Sequence, residues 1–278
     1  MDGWAGRRRR TTWLRQVVAA ILAVVFLVPL YAMVSGSLRP IGVPPPGTLE
    51  FLPWPVSFAS YAEAFRIVPL AHYIRNSLIV AAISVPVSVV VASWAGFAVA
   101  RLPRRAALAL IAVAVVVILI PAGALVVGRF TIYRTLGITD TLLPLMAPSL
   151  LGSSPLFVLL FAWAFRRIDP QLYDIARESG MTPLQTWWHV AMPMSRAVTG
   201  AVALLAFVMT WSNFVDPLVY LFDRDLYTVP IGLRTISTVK ATDRPAMLAA
   251  AVIATAPVVA IFVYLQARFL SGDRGIVR

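Results

Sequence analysis

Cysteine is absent from this 278-residue sequence, which excludes disulfides, thiol nucleophiles and thiolate metal sites. Histidine is nearly absent: the two, His72 and His189, are far apart and fall in different connecting segments. They make no catalytic cluster, and the chain reads as no enzyme. Charged residues are only 13% of the total, against about 25% in a soluble domain. A G-x-x-x-x-G-K-[ST] phosphate loop is also lacking, so this chain carries no nucleotide site of that kind.

Hydrophobic residues make up 60% of the sequence. They are blocked into runs close to the ~20 residues that cross a bilayer. The expectation is an all-α membrane protein in one domain, residues 1–278. Its six spans fall at about 17–35, 76–100, 106–127, 142–165, 198–222 and 247–270. The start, Arg7 to Arg10 and Arg15 ahead of an apolar run, resembles a secretory or twin-arginine signal. The run is longer than a signal's apolar region and holds Pro29 and Tyr31, so it reads as a retained first span. In the fourth span, Pro144, Pro148 and Pro155 free backbone carbonyls that neighbours or a wet cavity must satisfy. That span is expected to pack inside protein. Pro257 lies inside the sixth.

The connections differ in character. Arg39 to Arg75 is rich in proline, with Pro40, Pro44, Pro45, Pro46, Pro53, Pro55 and Pro69, which favours irregular backbone. It has room for a short helix near Phe58 to Phe65, and Trp54, Phe58 and Tyr61 suit a membrane boundary. Arg101 to Arg105 is a tight basic turn. Arg129 to Thr141 and Asp223 to about Ala246 read as polar loops.

Asp169 to Pro193 is a long polar stretch between two apolar runs, bracketed by positive charge, and it reads as two short helices with a break. Asp169 suits an N-cap and Pro170 the first helical position. Gly180 can take the left-handed conformation that stops a helix. Thr182, followed by Pro183 and Gln185, has capping-box spacing for a second helix. Pro193 is expected to close it.

The formal net charge of +12 would point to nucleic acid in a soluble chain. Here basic residues flanking apolar runs set membrane orientation instead, and no nucleic-acid partner is implied. Six spans put both termini on one side. Segments 1–15, 101–105, 166–196 and 268–278 hold 15 Lys and Arg in 62 residues; segments 37–75, 129–141 and 222–246 hold 9 in 77. The twofold higher density places the first set, both termini included, in the cytoplasm of a multi-pass cell-membrane protein.

In the fifth span, Asn213 and Asp216 are three apart and so are expected on one helix face. Asn213 then lies about 23 Å from Val198 at ~1.5 Å per residue, past the midplane of a ~30 Å core. Polar groups at that depth are candidates for a solute path, with interhelical bonding as the plainer role. Trp211 suits stacking on a ring or an ordinary interface position.

Several motifs carry a family resemblance. Asp174–Ile175–Ala176, then Gly180 and Met192–Pro193, resemble the cytoplasmic Glu-Ala-Ala loop of permeases from binding-protein-dependent ABC importers. Ser37–Leu38–Arg39–Pro40, Asn76–Ser77–Leu78, Ala100–Arg101, Leu136–Gly137–Ile138 with Asp140–Thr141, Trp211 with Phe214, and the tail Gln266 to Gly275 resemble the carbohydrate-uptake branch. Within it the chain is similar to the maltose-type second permease. Asp174 stands for the usual Glu, Ile175 for the first Ala, Ser179 where Asp often precedes the Gly, and Ser212–Asn213 for an Asn-Glu pair.

The resemblance implies a type I importer permease whose helix–turn–helix loop, 166–196, couples it to an ATPase. Asp174, Ala176, Arg177, Glu178, Gly180 and Pro193 would dock that ATPase. The implied partners are a second permease subunit, two ATPase subunits that bind ATP and Mg, an extracytoplasmic solute-binding protein and the bilayer. No cofactor or metal is implied for this chain. A sugar or oligosaccharide is the implied solute; a glycerol phosphate ester, a polyamine or ion-coupled secondary transport are the alternatives. Charges that gather in loops and near span ends speak against ion coupling.

Overall fold

The computed structural model describes residues 3–42, 53–239 and 243–272. Pro44 to Pro46, Lys240 and the last residues of the tail lie outside them. No strand occurs among the described residues. In chain order the helices are α1 Gly3–Ser37, α2 Ala59–Ile67, α3 Leu70–Arg101, α4 Arg104–Leu119, α5 Val126–Thr135, α6 Leu143–Met146 and α7 Pro155–Arg166. Then come α8 Pro170–Glu178, α9 Pro183–Thr186, α10 Met192–Met194, α11 Arg196–Trp211, α12 Val215–Tyr220, α13 Val229–Val239 and α14 Arg244–Gly272. Among the described residues, four helical segments are long and apolar enough to cross a membrane, or six if each of two sharply bent pairs counts as one span.

The chain divides into two compact units. The smaller comprises residues 1–69 and 233–255. In it α2 is stitched to the end of α1 by short polar side chains. Ser37 Oγ and the Tyr61 hydroxyl share a 2.8 Å hydrogen bond, Ser60 Oγ donates to the Arg39 carbonyl at 2.9 Å, and the Ser57 N–H donates to the Leu38 carbonyl. Asp243 caps α14 through the Ala246 N–H, and Leu248 lies where a side chain on Gly36 would be.

The larger unit comprises residues 70–232 and 256–278. Its centre is α3, packed on α7 and α11. Small residues let the backbones close up: a Cβ on Gly96 would fall 2.6 Å from Phe161 Cβ and 2.9 Å from the Ala162 nitrogen. Such small-residue approach drives helix association in lipid, where no hydrophobic force between helices is available. Phe97, Phe157, Phe161, Phe165, Val202 and Ala206 fill the core around it. At the end of α3, Arg166 donates to the Val99 carbonyl at 3.2 Å.

Proline reshapes three expected elements. The third span turns at Pro121, where Ile120 is extended and α4 ends; α5 leaves at 84°. Pro121 offers no N–H and pushes its predecessor out of helix. The expected loop at Arg129 to Thr141 is therefore helical as far as Thr135. The fourth span is broken: α6 runs into a 3-10 turn, Ala147–Leu151, and a left-handed Gly152 before α7. The Gly152 and Ser153 N–H groups reclaim the Ser149 and Pro148 carbonyls, and Ser153 is hydrogen-bonded to Ser88 of α3. The fifth span stops at Trp211 and resumes as α12. The loop expected after Asp223 also contains a helix, α13.

Candidate functional site

Two places collect the candidate residues. The first is the helix–turn–helix from Asp169. Asp169 Oδ1 accepts from the Gln171 N–H at 3.0 Å and caps α8. At the other end, Gly180 has φ +73°. The Gly180 N–H bonds the Arg177 carbonyl and the Met181 N–H the Ala176 carbonyl, both at 3.0 Å. This pair of bonds is a Schellman stop. Thr182 and Gln185 form the full capping box that opens α9.

Pro193 does not close the second helix. The chain continues to Met194 through a π turn, Trp187–Ala191, in which the Met192 N–H reaches back to the Trp187 carbonyl. That extra residue shifts the hydrogen-bond register just before Pro193, which needs no donor of its own. The sharp change of direction, 86°, comes between Met194 and Arg196.

The segment is bolted to the span core. Trp187 is buried, and its indole N–H donates to Ser93 Oγ of α3 at 3.2 Å. The Tyr173 hydroxyl donates to the Phe165 carbonyl of α7 at 3.1 Å. The Arg101 guanidinium lies 4.0 Å from the Phe97 ring and 5.4 Å from the Tyr173 ring. Burial pushes the Tyr173 hydroxyl pKa up, partly offset by Arg101.

Of the candidate docking residues, Ala176 is 2% exposed and faces inward. Asp174, Arg177, Glu178, Gly180 and Pro193 are exposed. Asp174 and Arg177 pair at 3.9 Å; at that exposure the pair contributes only about 0.3–0.5 kcal/mol. Ile175, Met181, Leu184 and Trp188 are also exposed. Apart from Ile175, which stands in the Glu-Ala-Ala-like motif, sequence reasoning gave this apolar set no role, although its mixture with charge in a polar stretch was a visible signal.

The second place is the break in the fifth span. Asn213 and Asp216 do meet, but not on one continuous helix. Asn213 Nδ2 donates to Asp216 Oδ2 at 2.9 Å, and its Oδ1 accepts the Asp216 N–H at 3.2 Å. Asn213 Oδ1 thus satisfies one of the free N–H groups in the first turn of α12. The rise-per-residue placement of Asn213 does not survive, because α11 ends two residues earlier. Arg129 of α5 lies 3.7 Å from Asp216 Oδ2, a partner 87 positions away that sequence reasoning had left in a loop. Trp211 is 4% exposed and stacks on Phe207 with ring centroids 5.4 Å apart; it is not free to stack on a solute.

Nearby, Asp140 Oδ1 accepts from the N–H groups of Phe222 and Asp223, both at 2.8 Å. These bonds hold its carboxyl pKa below the usual value. Asn76 Nδ2 donates to the Asp225 carbonyl at 2.7 Å and the Tyr227 carbonyl at 3.0 Å. Among the described residues no three His, Asp or Glu side chains gather into a metal site.

No family model matches the chain. The trehalose transport system permease protein SugB of Mycobacterium tuberculosis is 27% identical over 269 residues, covering 96% of this chain and 97% of SugB. A protein of Streptomyces antibioticus named as an ABC transporter permease is 30% identical over 216 residues, 78% of this chain and 94% of its own length. Among solved structures, a chain of a bacterial ABC transporter involved in the import of the acidic polysaccharide alginate superposes with a TM-score of 0.75. That likeness covers 94% of this chain and 97% of the other at 19% identity, and it shows a shared fold. With the Streptomyces antibioticus relative 30% identical over 78% of this chain and 94% of its own length, the chain belongs to the ABC transporter permeases.

Proposed function

We propose that the chain is the membrane permease subunit of an ATP-driven importer for a sugar or oligosaccharide. The observation that carries this is the end-to-end match to a trehalose transport permease. The chain works as one permease domain beside a second permease subunit. An extracytoplasmic binding protein hands over the solute, and two separate ATPase subunits hydrolyse ATP with Mg.

The coupling element is the helix–turn–helix from Asp169 to Met194. Two features support that role. Its outer surface mixes exposed apolar side chains, Ile175, Leu184 and Trp188, with Asp174, Arg177 and Glu178, a composition suited to a protein partner. Its inner surface is hydrogen-bonded and packed onto α3 and α7, so displacement of the segment is transmitted to the spans without slack. Both termini and this segment are cytoplasmic, on the charge asymmetry of the connections.

The test is reconstitution of the permease pair, ATPase and binding protein in proteoliposomes, read as ATP-dependent uptake of labelled trehalose and oligosaccharides. Uptake that proceeds without ATP, or with an ion gradient alone, would overturn the reading. Topology is tested independently, because a cysteine-free chain accepts single cysteines cleanly. In intact cells a membrane-impermeant maleimide labels Phe58→Cys and spares Ser179→Cys; the reverse pattern would invert the assignment.

A further inference from the structure

Beside the break in the fifth span lies a cavity of about 10 Å3, the size that admits one water-sized group. Four polar side chains line it: Ser77 of α3, Thr210 near the end of α11, Asn213 in the break, and Thr228 just before α13. Val80 and Leu145 are among the apolar side chains that close the rest.

Thr228 decides what the cavity is for. It is 5% exposed, and its Oγ1 is enclosed with no hydrogen-bond partner in the protein. Buried hydroxyls in that condition are rare in native proteins, because the lost hydration goes uncompensated. The neighbouring groups retain hydrogen-bonding capacity. Ser77 Oγ accepts the Val229 N–H at 2.9 Å, and its own O–H remains a donor. Asn213 uses its Oδ1 and one amide hydrogen on Asp216, which leaves the second amide hydrogen. The nearby charge is already balanced, since Asp216 faces Arg129 at 3.7 Å. The walls therefore offer neutral donors and acceptors at one-water scale, and they suit neither an ion nor a whole sugar ring.

We propose that this cavity binds one neutral hydroxyl oxygen between Thr228, Ser77 and Asn213. The oxygen comes either from a buried water molecule or from one hydroxyl of a polyol solute; the second source rests on the importer reading above. The occupant ties α3, the unwound part of the fifth span and the segment before α13 together, at the point where the span has least backbone support.

The test uses the complete transporter in lipid nanodiscs, wild type against Thr228→Val, which keeps the shape and removes the hydroxyl, and Thr228→Ser, which restores it. High-resolution maps are collected with and without trehalose, and uptake is measured at limiting loaded binding protein. If water is the source, one ordered density within hydrogen-bond distance of Thr228 Oγ1 is present without sugar and disappears in Thr228→Val. If the solute is the source, that density appears only with sugar, and Thr228→Val lowers uptake roughly fivefold, the worth of one hydrogen bond, with Thr228→Ser near wild type. Absence of density in both wild-type maps overturns the proposal, including when uptake falls in Thr228→Val and Thr228→Ser alike, which marks a packing change. A wild-type complex that moves no carbohydrate defeats the importer reading, while the sugar-free map still decides the water site.

Discussion

Replacing Gly180 by valine tests whether the coupling segment depends on one backbone conformation. Gly180 has φ +73°, and nothing lies within 4 Å of a Cβ added there. Crowding is therefore not at issue; only the intrinsic cost of the left-handed region is. An L side chain pays about 1–2 kcal/mol there, and a β-branched one sits at the upper end. The chain can escape that cost only by giving up the Schellman stop. It would then lose the bonds from the Gly180 and Met181 N–H groups, both 3.0 Å long, at about 0.5–1.5 kcal/mol each. The two routes cost alike, so the turn is weakened by about 2 kcal/mol, roughly a thirtyfold fall in its population relative to open forms.

Asparagine separates conformation from mere substitution, because it adopts the left-handed region readily. Gly180→Asn is expected to keep uptake and ATPase association within about twofold of wild type, given a conformational cost of a few tenths of a kcal/mol. Gly180→Val is expected to lose at least about tenfold in ATP-driven uptake, following from the turn energetics above. The ATPase should also be lost on purification, with membrane levels of the permease unchanged. A valine variant that transports normally and retains its ATPase would refute the docking argument. An asparagine variant as impaired as valine would refute the conformational one.

Asp140 makes a pH-dependent tie. Its carboxyl pKa is depressed by two N–H donors, so its stabilising effect is present above the unfolded value of 3.8 and is lost as pH falls below that towards the folded value. Hydrogen-exchange protection of the Phe222 and Asp223 amides, taken relative to free-peptide rates, should decline across that acid range in wild type. It should be flat in Asp140→Asn, and a decline that persists there would assign the titration to another group. Gly96→Ala places a methyl 2.6 Å from Phe161 Cβ and forces α3 and α7 apart at a cost of about 1–3 kcal/mol. Thermal unfolding in detergent should show a lowered midpoint, and an unchanged one would contradict such close helix contact.

Features decided within four residues were legible in the sequence. The Asp169 cap, the Gly180 stop and the Thr182–Gln185 box stand where composition put them, because each is settled by its own side chain and the nearest N–H groups. The Arg129–Asp216 and Asp140–Phe222 pairs were not legible, since nothing local marks a partner more than 80 positions away. Proline shows where the boundary falls. Pro86, Pro193 and Pro217 each withhold an N–H from the carbonyl four residues back, yet the outcomes differ. At Pro86, α3 continues; at Pro193 a π turn shifts the register and the helix survives; at Pro217 the span opens around Asn213, the residue four back. What distinguishes the last case is compensation from outside the backbone. Asn213 accepts the Asp216 N–H, and Asp216 faces Arg129 of another helix. Hydropathy runs unbroken from Val198 to Phe222 and is blind to that exchange. A break inside a span is stable only where distant polar groups take over its freed bonds, so the position of the break follows from tertiary structure, and the polar residues of a solute-path candidate emerge with it.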